Sequence, residues 1–363
     1  MPEPITIRSY KGDYRVDFAD RAVTSADFAG SGDAPVHVLI DARVAQLYAG
    51  PLADLLAQPT LIQIEATERN KAVDRIIPVI ERLVANGIKR DHVLLAIGGG
   101  IIQDITCFIA SILMRGIEWR FVPTTLLAQA DSCIGSKSSV NLGDAKNILG
   151  TFNPPARIVI DPTFLDTLDP VDVRSGIGEI IKVHAIAGPA TYDRLVGEFA
   201  DLSRDRTVLA RFMREALLIK QRFIEKDEFD KGIRNIFNYG HSFGHAIEAA
   251  TEFGVPHGIA VTMGMAIANH VSAARGLTSS ANRDRMGGIL ATNIGEFAHY
   301  PVPLDKMLTA LTKDKKNTST HLVVILPVGD EARIERVKVV GDELFRGQVA
   351  EALAALAEQA EAA

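Results

Sequence analysis

The stretch Ala96-Ile97-Gly98-Gly99-Gly100-Ile101-Ile102-Gln103-Asp104 decides how the chain folds. The apolar run Val93 to Ile97 leads into three glycines and then a helical pattern, the strand–turn–helix order of a nucleotide-binding α/β unit. Glycine lets phosphates approach the backbone, and the N–H groups that open a helix favour an anion. A triple-glycine turn is also a common way to leave a strand, so the motif alone leaves both readings open. Pro123-Thr124-Thr125 ends the next apolar run and would place two hydroxyls on the same edge of the sheet. Asp41 ends an earlier run, where a carboxylate either accepts from ribose hydroxyls or caps the helix that follows.

Outward from this stretch, short β-branched runs alternate with helical segments, as expected of a parallel sheet with crossover helices. The strand candidates are Val36 to Asp41, Leu61 to Ile64, Val93 to Ile97, Arg120 to Val122 and Ile158 to Asp161. Lys71 to Asn86 carries Val73, Ile76, Ile77, Val79, Ile80, Leu83 and Val84 at helical spacing, with Gly87 as a stop. After Pro170 amphipathic helices dominate, with one later β-like run from His321 to Pro327. The boundary is expected between residues 165 and 175, which divides the chain into an α/β domain over 1–170 and a mostly helical domain over 171–363. Val349 to Ala363, rich in Ala and Glu, reads as a surface helix.

The 363 residues are roughly two domains' worth, at about 150 residues each. With 47% hydrophobic and 23% charged residues the chain is neither disordered nor collagenous. Lys plus Arg is 39 against 45 Asp plus Glu, a net charge of −6 that argues against broad nucleic-acid binding. Cys107 and Cys133 are too few for a disulfide framework. The N-terminus shows no signal-peptide pattern, and no apolar run reaches the roughly 18 residues of a membrane span. A soluble cytoplasmic protein is expected.

Two further constellations carry chemistry. In His241-Ser242-Phe243-Gly244-His245 the imidazoles stand four apart, so His241 and His245 share a helix face and can converge on one ion or one anion. His257 offers a third imidazole, and Glu179, in an otherwise apolar turn, a carboxylate. The bland alternative is a chance grouping of three of the nine histidines. Basic residues at segment ends, namely Arg115, Lys137, Lys146, Lys182, Lys220, Arg234, Lys315 and Lys316, could assemble a polyanion pocket, although each taken singly reads as a solvated surface charge.

Taken together, these segments resemble the 3-dehydroquinate synthase family of sugar-phosphate cyclases. The resemblance runs from about residue 36 to 329 through GGGIIQD (98–104), MRG (114–116), PTTLLAQADSCIGSK (123–137), KN (146–147), GEIIK (178–182), KDE (226–228), RNIFNYGHSFGH (234–245), HG (257–258) and DKK (314–316). It implies an N-terminal Rossmann-like domain, a helical C-terminal domain, NAD, a divalent metal (usually zinc, with cobalt possible) and a homodimer. By the same resemblance Glu179, His241 and His257 are the metal ligands, in place of the His241–His245 pairing. His245, Lys137, Asn147, Asn238 and Lys315 then hold the substrate phosphate, with Arg115 reaching a neighbouring subunit's site. Asp131 and Lys182 contact substrate hydroxyls, and Lys220 with Arg234 holds a carboxylate. Asp41, Glu68, Lys71, Gly99, Gly100, Asp104, Thr124, Thr125 and Lys146 match NAD-contacting segments.

Three departures bear on the substrate. The family's Gly-Gly-Lys-Thr is here Gly135-Ser136-Lys137-Ser138, its His-Gly-Glu is His257-Gly258-Ile259, and Thr67 stands before Glu68 where Gly is common. The implied reaction converts 3-deoxy-arabino-heptulosonate 7-phosphate to 3-dehydroquinate. A cyclase acting on sedoheptulose 7-phosphate or glucose 6-phosphate is the alternative, and Lys220 with Arg234 argues against it, because neither sugar brings a carboxylate. A metal-dependent alcohol dehydrogenase would share the glycine turn but has no need of the phosphate cluster. An NAD-binding regulator would have no need of the metal set.

Overall fold

Seven strands pair in the order β1-β2-β9-β6-β5-β3-β4. They are β1 (Ile5–Ile7), β2 (Tyr14–Phe18), β3 (Val36–Asp41), β4 (Ile62–Ile64), β5 (Val93–Gly98), β6 (Glu118–Pro123) and β9 (Arg157–Ile160). Only β1 with β2 is antiparallel; every other pairing in this sheet is parallel. The computed structural model describes residues 3–19, 34–143, 145–312 and 321–362. All six residues of β5 are buried, as a strand covered on both faces requires, which is why it reads as a continuous apolar run. Ile40 pairs with Ile97, and Gly98 with Pro123, so β3, β5 and β6 end on one carboxyl edge.

The five expected strands are present, with ends shifted by up to two residues. The sequence reading did not anticipate β1, β2 or the hairpin of β7 (Lys137–Leu142) and β8 (Ala145–Phe152). In β7 the buried positions include Ser138 and Asn141 beside Val140, so no apolar alternation marks the strand. The expected helix is a 3₁₀ turn, Glu68–Lys71, followed by the helix Val73–Ala85, and Gly87 ends it with φ +74°. Ile76 and Leu83 are fully buried, but Ile77 and Val84 are half exposed. Residues 76 and 83 lie two turns apart on the inward face, and each of the other two is rotated about 100° from it.

The chain divides into two units, Met1–Leu168 with Gln221–Phe229, and Asp169–Lys220 with Asp230–Ala363. Gln221–Phe229 was expected in the second domain but packs with the first. Arg8 Nη2 lies 2.9 Å from Glu225 Oε2, Ser9 Oγ donates to Glu228 at 2.7 Å, and Phe229 meets the rings of Tyr10 and Phe152 at 5.3 and 5.1 Å. Among the described residues the second unit is helical apart from one antiparallel pair, β10 (Leu322–Val328) with β11 (Arg333–Val339). Its helix His257–Ala274 is buried on nearly every face, as expected of a central helix. The C-terminal helix, Glu343–Ala362, starts six residues before the expected Val349. No helix among the described residues is long and apolar enough to cross a membrane.

Candidate active site

Three helices of the second unit bring Glu179, His241 and His257 together, and glycines let them do so. Gly178, on the helix Pro170–Ala187, faces Gly258 so closely that a Cβ there would stand 2.3 Å from the Gly258 carbonyl oxygen. Gly258 N–H donates to Ser175 Oγ at 2.9 Å, tying the same crossing. On the helix His241–Ala250, a Cβ at Gly244 would lie 3.0 Å from the backbone of Ala260 and Val261. Backbone-to-backbone contact at these glycines therefore brings close the site residues next to them in sequence, Glu179, His245 and His257.

Glu179 is 1% exposed. Its Oε1 lies 3.5 Å from His257 Nε2 and 3.8 Å from His241 Nε2, and its Oε2 pairs with the Lys182 ammonium. His245 joins the group: ligand atoms of His241, His245 and His257 all lie within 4.8 Å of one another. Each flanking imidazole has an acceptor at its other nitrogen. His241 Nδ1 is 3.3 Å from the Tyr239 carbonyl, and His257 Nδ1 is 3.3 and 3.2 Å from the two oxygens of Glu248. Burial lowers the affinity of the His257 imidazole for a proton, but Glu179 and Glu248 outweigh it and raise its pKa to about 10. Two imidazoles and a carboxylate, with a third imidazole beside them, form a donor set that fits a divalent ion of the zinc or cobalt type.

Among its described residues the second unit also buries three Lys and Arg cations, Lys182, Lys220 and Arg234. Lys182 Nζ also lies 5.8 Å from the centroid of the Phe237 ring. Asn238, on the 3₁₀ turn Ile233–Asn238, donates to the Asn235 carbonyl at 2.9 Å. His245 is exposed, and Lys315 lies outside the described residues.

In the first unit, Gly99 caps the helix Gly100–Ile112 at the end of β5. A Cβ at Gly99 would lie 2.9 Å from Thr125 Cγ2, whereas one at Gly100 would meet nothing within 4 Å. This open helix N-terminus fits a pyrophosphate. Thr124 is buried, and its N–H donates to the Gly98 carbonyl at 3.0 Å. Asp41 does act as a helix cap, with Oδ1 accepting from Arg43 N–H at 3.0 Å; burial raises its carboxyl pKa despite that bond. Lys71 Nζ pairs with Asp104 Oδ2 at 2.6 Å and donates to Asn147 Oδ1 at 2.9 Å. Burial holds the Asp104 carboxyl above its usual range, with Lys71 opposing.

Asn147 N–H donates to Asn141 Oδ1 at 2.9 Å, and Asn141 Nδ2 donates to Glu68 Oε1 at 2.8 Å. Lys146 Nζ is 3.9 Å from that same Glu68 oxygen. Asn147 therefore sits among the residues assigned to NAD. Lys137 is exposed at the other end of the hairpin, opposite Phe152. Asp131 is buried in the π-helical segment Ala128–Ser132, and Arg115 is exposed on a turn where Met114 and Arg115 both have positive φ. The sequence reading missed Ser139, Asn141, Phe237 and Glu248. Only Glu248 had a legible signal, its place seven residues after His241 on the same helical stripe.

A family model described as 3-dehydroquinate synthase N-terminal matches residues 61–175, and one described as 3-dehydroquinate synthase C-terminal matches residues 176–317. The chain is 35% identical over 274 residues to 3-dehydroquinate synthase of Dictyoglomus thermophilum, covering 75% of this chain and 77% of that protein. It is 36% identical over 304 residues to the same enzyme of Enterococcus faecalis, covering 80% and 82%. Among solved structures it matches 2-epi-5-epi-valiolone synthase from Streptomyces hygroscopicus subsp. jinggangensis, which holds NAD+ and Zn2+. That match has a TM-score of 0.82 and 30% identity, and covers 95% of this chain and 97% of the other. With two models matched over more than half its length and relatives above 30% identity over most of it, the chain belongs to the 3-dehydroquinate synthase family.

Proposed function

We propose that this enzyme is an NAD- and metal-dependent sugar-phosphate cyclase that converts 3-deoxy-arabino-heptulosonate 7-phosphate to 3-dehydroquinate and inorganic phosphate. The observation that carries this reading is the convergence of Glu179, His241 and His257 in one unit that also buries Lys182, Lys220 and Arg234. Glu179, His241 and His257 hold a divalent ion, Zn2+ or Co2+. Gly99, Gly100, Thr124 and Thr125 hold NAD, with Asp41, Glu68, Lys71, Asp104 and Lys146 around it. When bound, the ion polarises a substrate oxygen and NAD supplies reversible hydride transfer.

The chain's own side chains do the remaining work. Lys220 and Arg234 bind the substrate carboxylate by charge-assisted hydrogen bonds. Lys182, steadied by Glu179 and Phe237, presents its ammonium to a ring hydroxyl. His245 and Asn238 hold the phosphate, and the imidazole can accept or return a proton. Arg115, Asp131, Lys137, Asn147 and Lys315 are further substrate contacts. A cytoplasmic homodimer goes with this reading.

Substrate and products balance without a net oxidant, so NAD is required in catalytic amounts and NADH does not build up with product. The test incubates purified enzyme, NAD and Zn2+ with the heptulosonate phosphate, sedoheptulose 7-phosphate and glucose 6-phosphate, scoring phosphate and carbocycle. The expected result is turnover of the first. A cyclase acting on sedoheptulose 7-phosphate is the second reading, favoured by the likeness to the valiolone synthase. Cyclisation of that sugar, with no phosphate released from the heptulosonate, would establish it.

A further inference from the structure

We infer that Glu248 is a positioning residue for the metal: it fixes the ring of His257 in the Nδ1–H tautomer and so aims Nε2 at the ion. The inference rests on the reading of Glu179, His241 and His257 as ligands. Glu248 stands seven residues after His241 on the helix His241–Ala250, two turns along the same face, and its side chain is 13% exposed. Both of its oxygens lie at hydrogen-bond distance from His257 Nδ1, at 3.3 and 3.2 Å. An ionised carboxylate only accepts, so Nδ1 must carry a proton, and when the ring gives up its other proton to bind an ion the lone pair is on Nε2. That nitrogen is the one 3.5 Å from Glu179 Oε1.

His241 repeats the arrangement with a weaker partner. Its Nδ1 faces the neutral carbonyl of Tyr239 and its Nε2 faces Glu179. His257 has more need of a holder. It is the first residue of its helix, and its side chain is 35% exposed against 16% for His241, so packing holds this ring less than its neighbour's. A carboxylate behind a ligating imidazole both orients the ring and makes it a better donor, and loss of such a partner typically weakens metal binding 10- to 100-fold.

Glu248 could instead serve only to stabilise the start of the helix His257–Ala274, so the test has to separate the two roles. The full-length enzyme is stripped with a chelator. Its Zn2+ dissociation constant is then measured by competition with a chromophoric chelator for the wild type, Glu248→Gln, Glu248→Asp and His257→Ala. Thermal unfolding of each ion-free protein is recorded in parallel. The expected result is that Glu248→Gln weakens Zn2+ binding by about 10- to 100-fold, leaves the ion-free melting point unchanged, and is partly rescued in Glu248→Asp. Zn2+ affinity within about twofold of wild type in Glu248→Gln, while His257→Ala loses the ion, overturns the role of Glu248 and leaves the ligand assignment standing. Weakened binding that comes with an equal loss of ion-free stability also overturns it, in favour of a purely structural role. Wild-type affinity in His257→Ala overturns the ligand assignment itself.

Discussion

Arg234 and Lys220 are both 7% exposed, and they are the two cations proposed to bind the substrate carboxylate. A charge-assisted hydrogen bond is worth about 1.5–3 kcal/mol, or roughly tenfold and more in affinity. Arg234→Leu is expected to lower kcat/KM on the heptulosonate phosphate by at least about tenfold, measured by phosphate release. The departures from the family pattern have local accommodations. Ile259 is fully buried, Thr67 caps the 3₁₀ turn by accepting from Asn70 N–H at 3.3 Å, and Ser138 is buried on β7. Away from the site, His37 is 2% exposed with Nε2 3.0 Å from His92 Nδ1. Burial, with His92 beside it, holds the His37 imidazole below its ordinary 6.5. Just below pH 6.5 the unfolded chain then binds more protons than the folded one, so this contribution to stability falls as pH drops through that window. The urea midpoint of the wild type should therefore gain on that of His37→Phe as pH rises from about 5 to 7.

Among the elements, the glycines of the motifs divide by what surrounds them. Gly178 belongs to a helix crossing in which a methyl group has no room, so Gly178→Ala should cost roughly 1–3 kcal/mol in denaturant unfolding and weaken Zn2+ binding with it. Gly100 has open space where its Cβ would be. Gly100→Ala should leave stability within about 1 kcal/mol of wild type, since Ala is the better helix former. The added methyl would stand at the helix N-terminus where the pyrophosphate is proposed to bind, so NAD affinity measured by calorimetry should fall about tenfold or more. The two substitutions separate a glycine needed for packing from one needed for close approach of a ligand.

At the scale of the whole molecule, the proposed metal ligands lie in one unit and the glycine turn in the other. A ligand present at 100 times its dissociation constant stabilises the state it binds by about 2.7 kcal/mol. Chelation should therefore lower the melting point of the metal-loaded enzyme, and the shift should vanish in His257→Ala. Cys107 and Cys133 are both buried in the first unit, and burial raises the Cys107 thiol to about 12, so thiol labelling reports the opening of that unit. NAD is expected to slow the labelling; Zn2+ added without NAD is expected to have a smaller effect.

The sequence alone determined the parallel sheet and the chemistry-bearing residue types. Val36 to Asp41 and Val93 to Ile97 are legible because a strand buried on both faces must be apolar throughout, and that is a local property. The triple glycine and the histidines are legible by residue type and spacing. Tertiary structure decided what no local pattern encodes. Ser138 and Asn141 are buried on β7, and Asn141 meets Glu68 from another segment, so the hairpin has no apolar alternation to show. Gln221–Phe229 joins the first unit through Arg8, Ser9 and Tyr10, more than 200 residues away in sequence. Lys71 meets Asp104 and Asn147, and His257 meets Glu248, only once their elements have packed. Burial is written into each segment's own residues, whereas the partner of a buried charge depends on which distant segment folding brings against it.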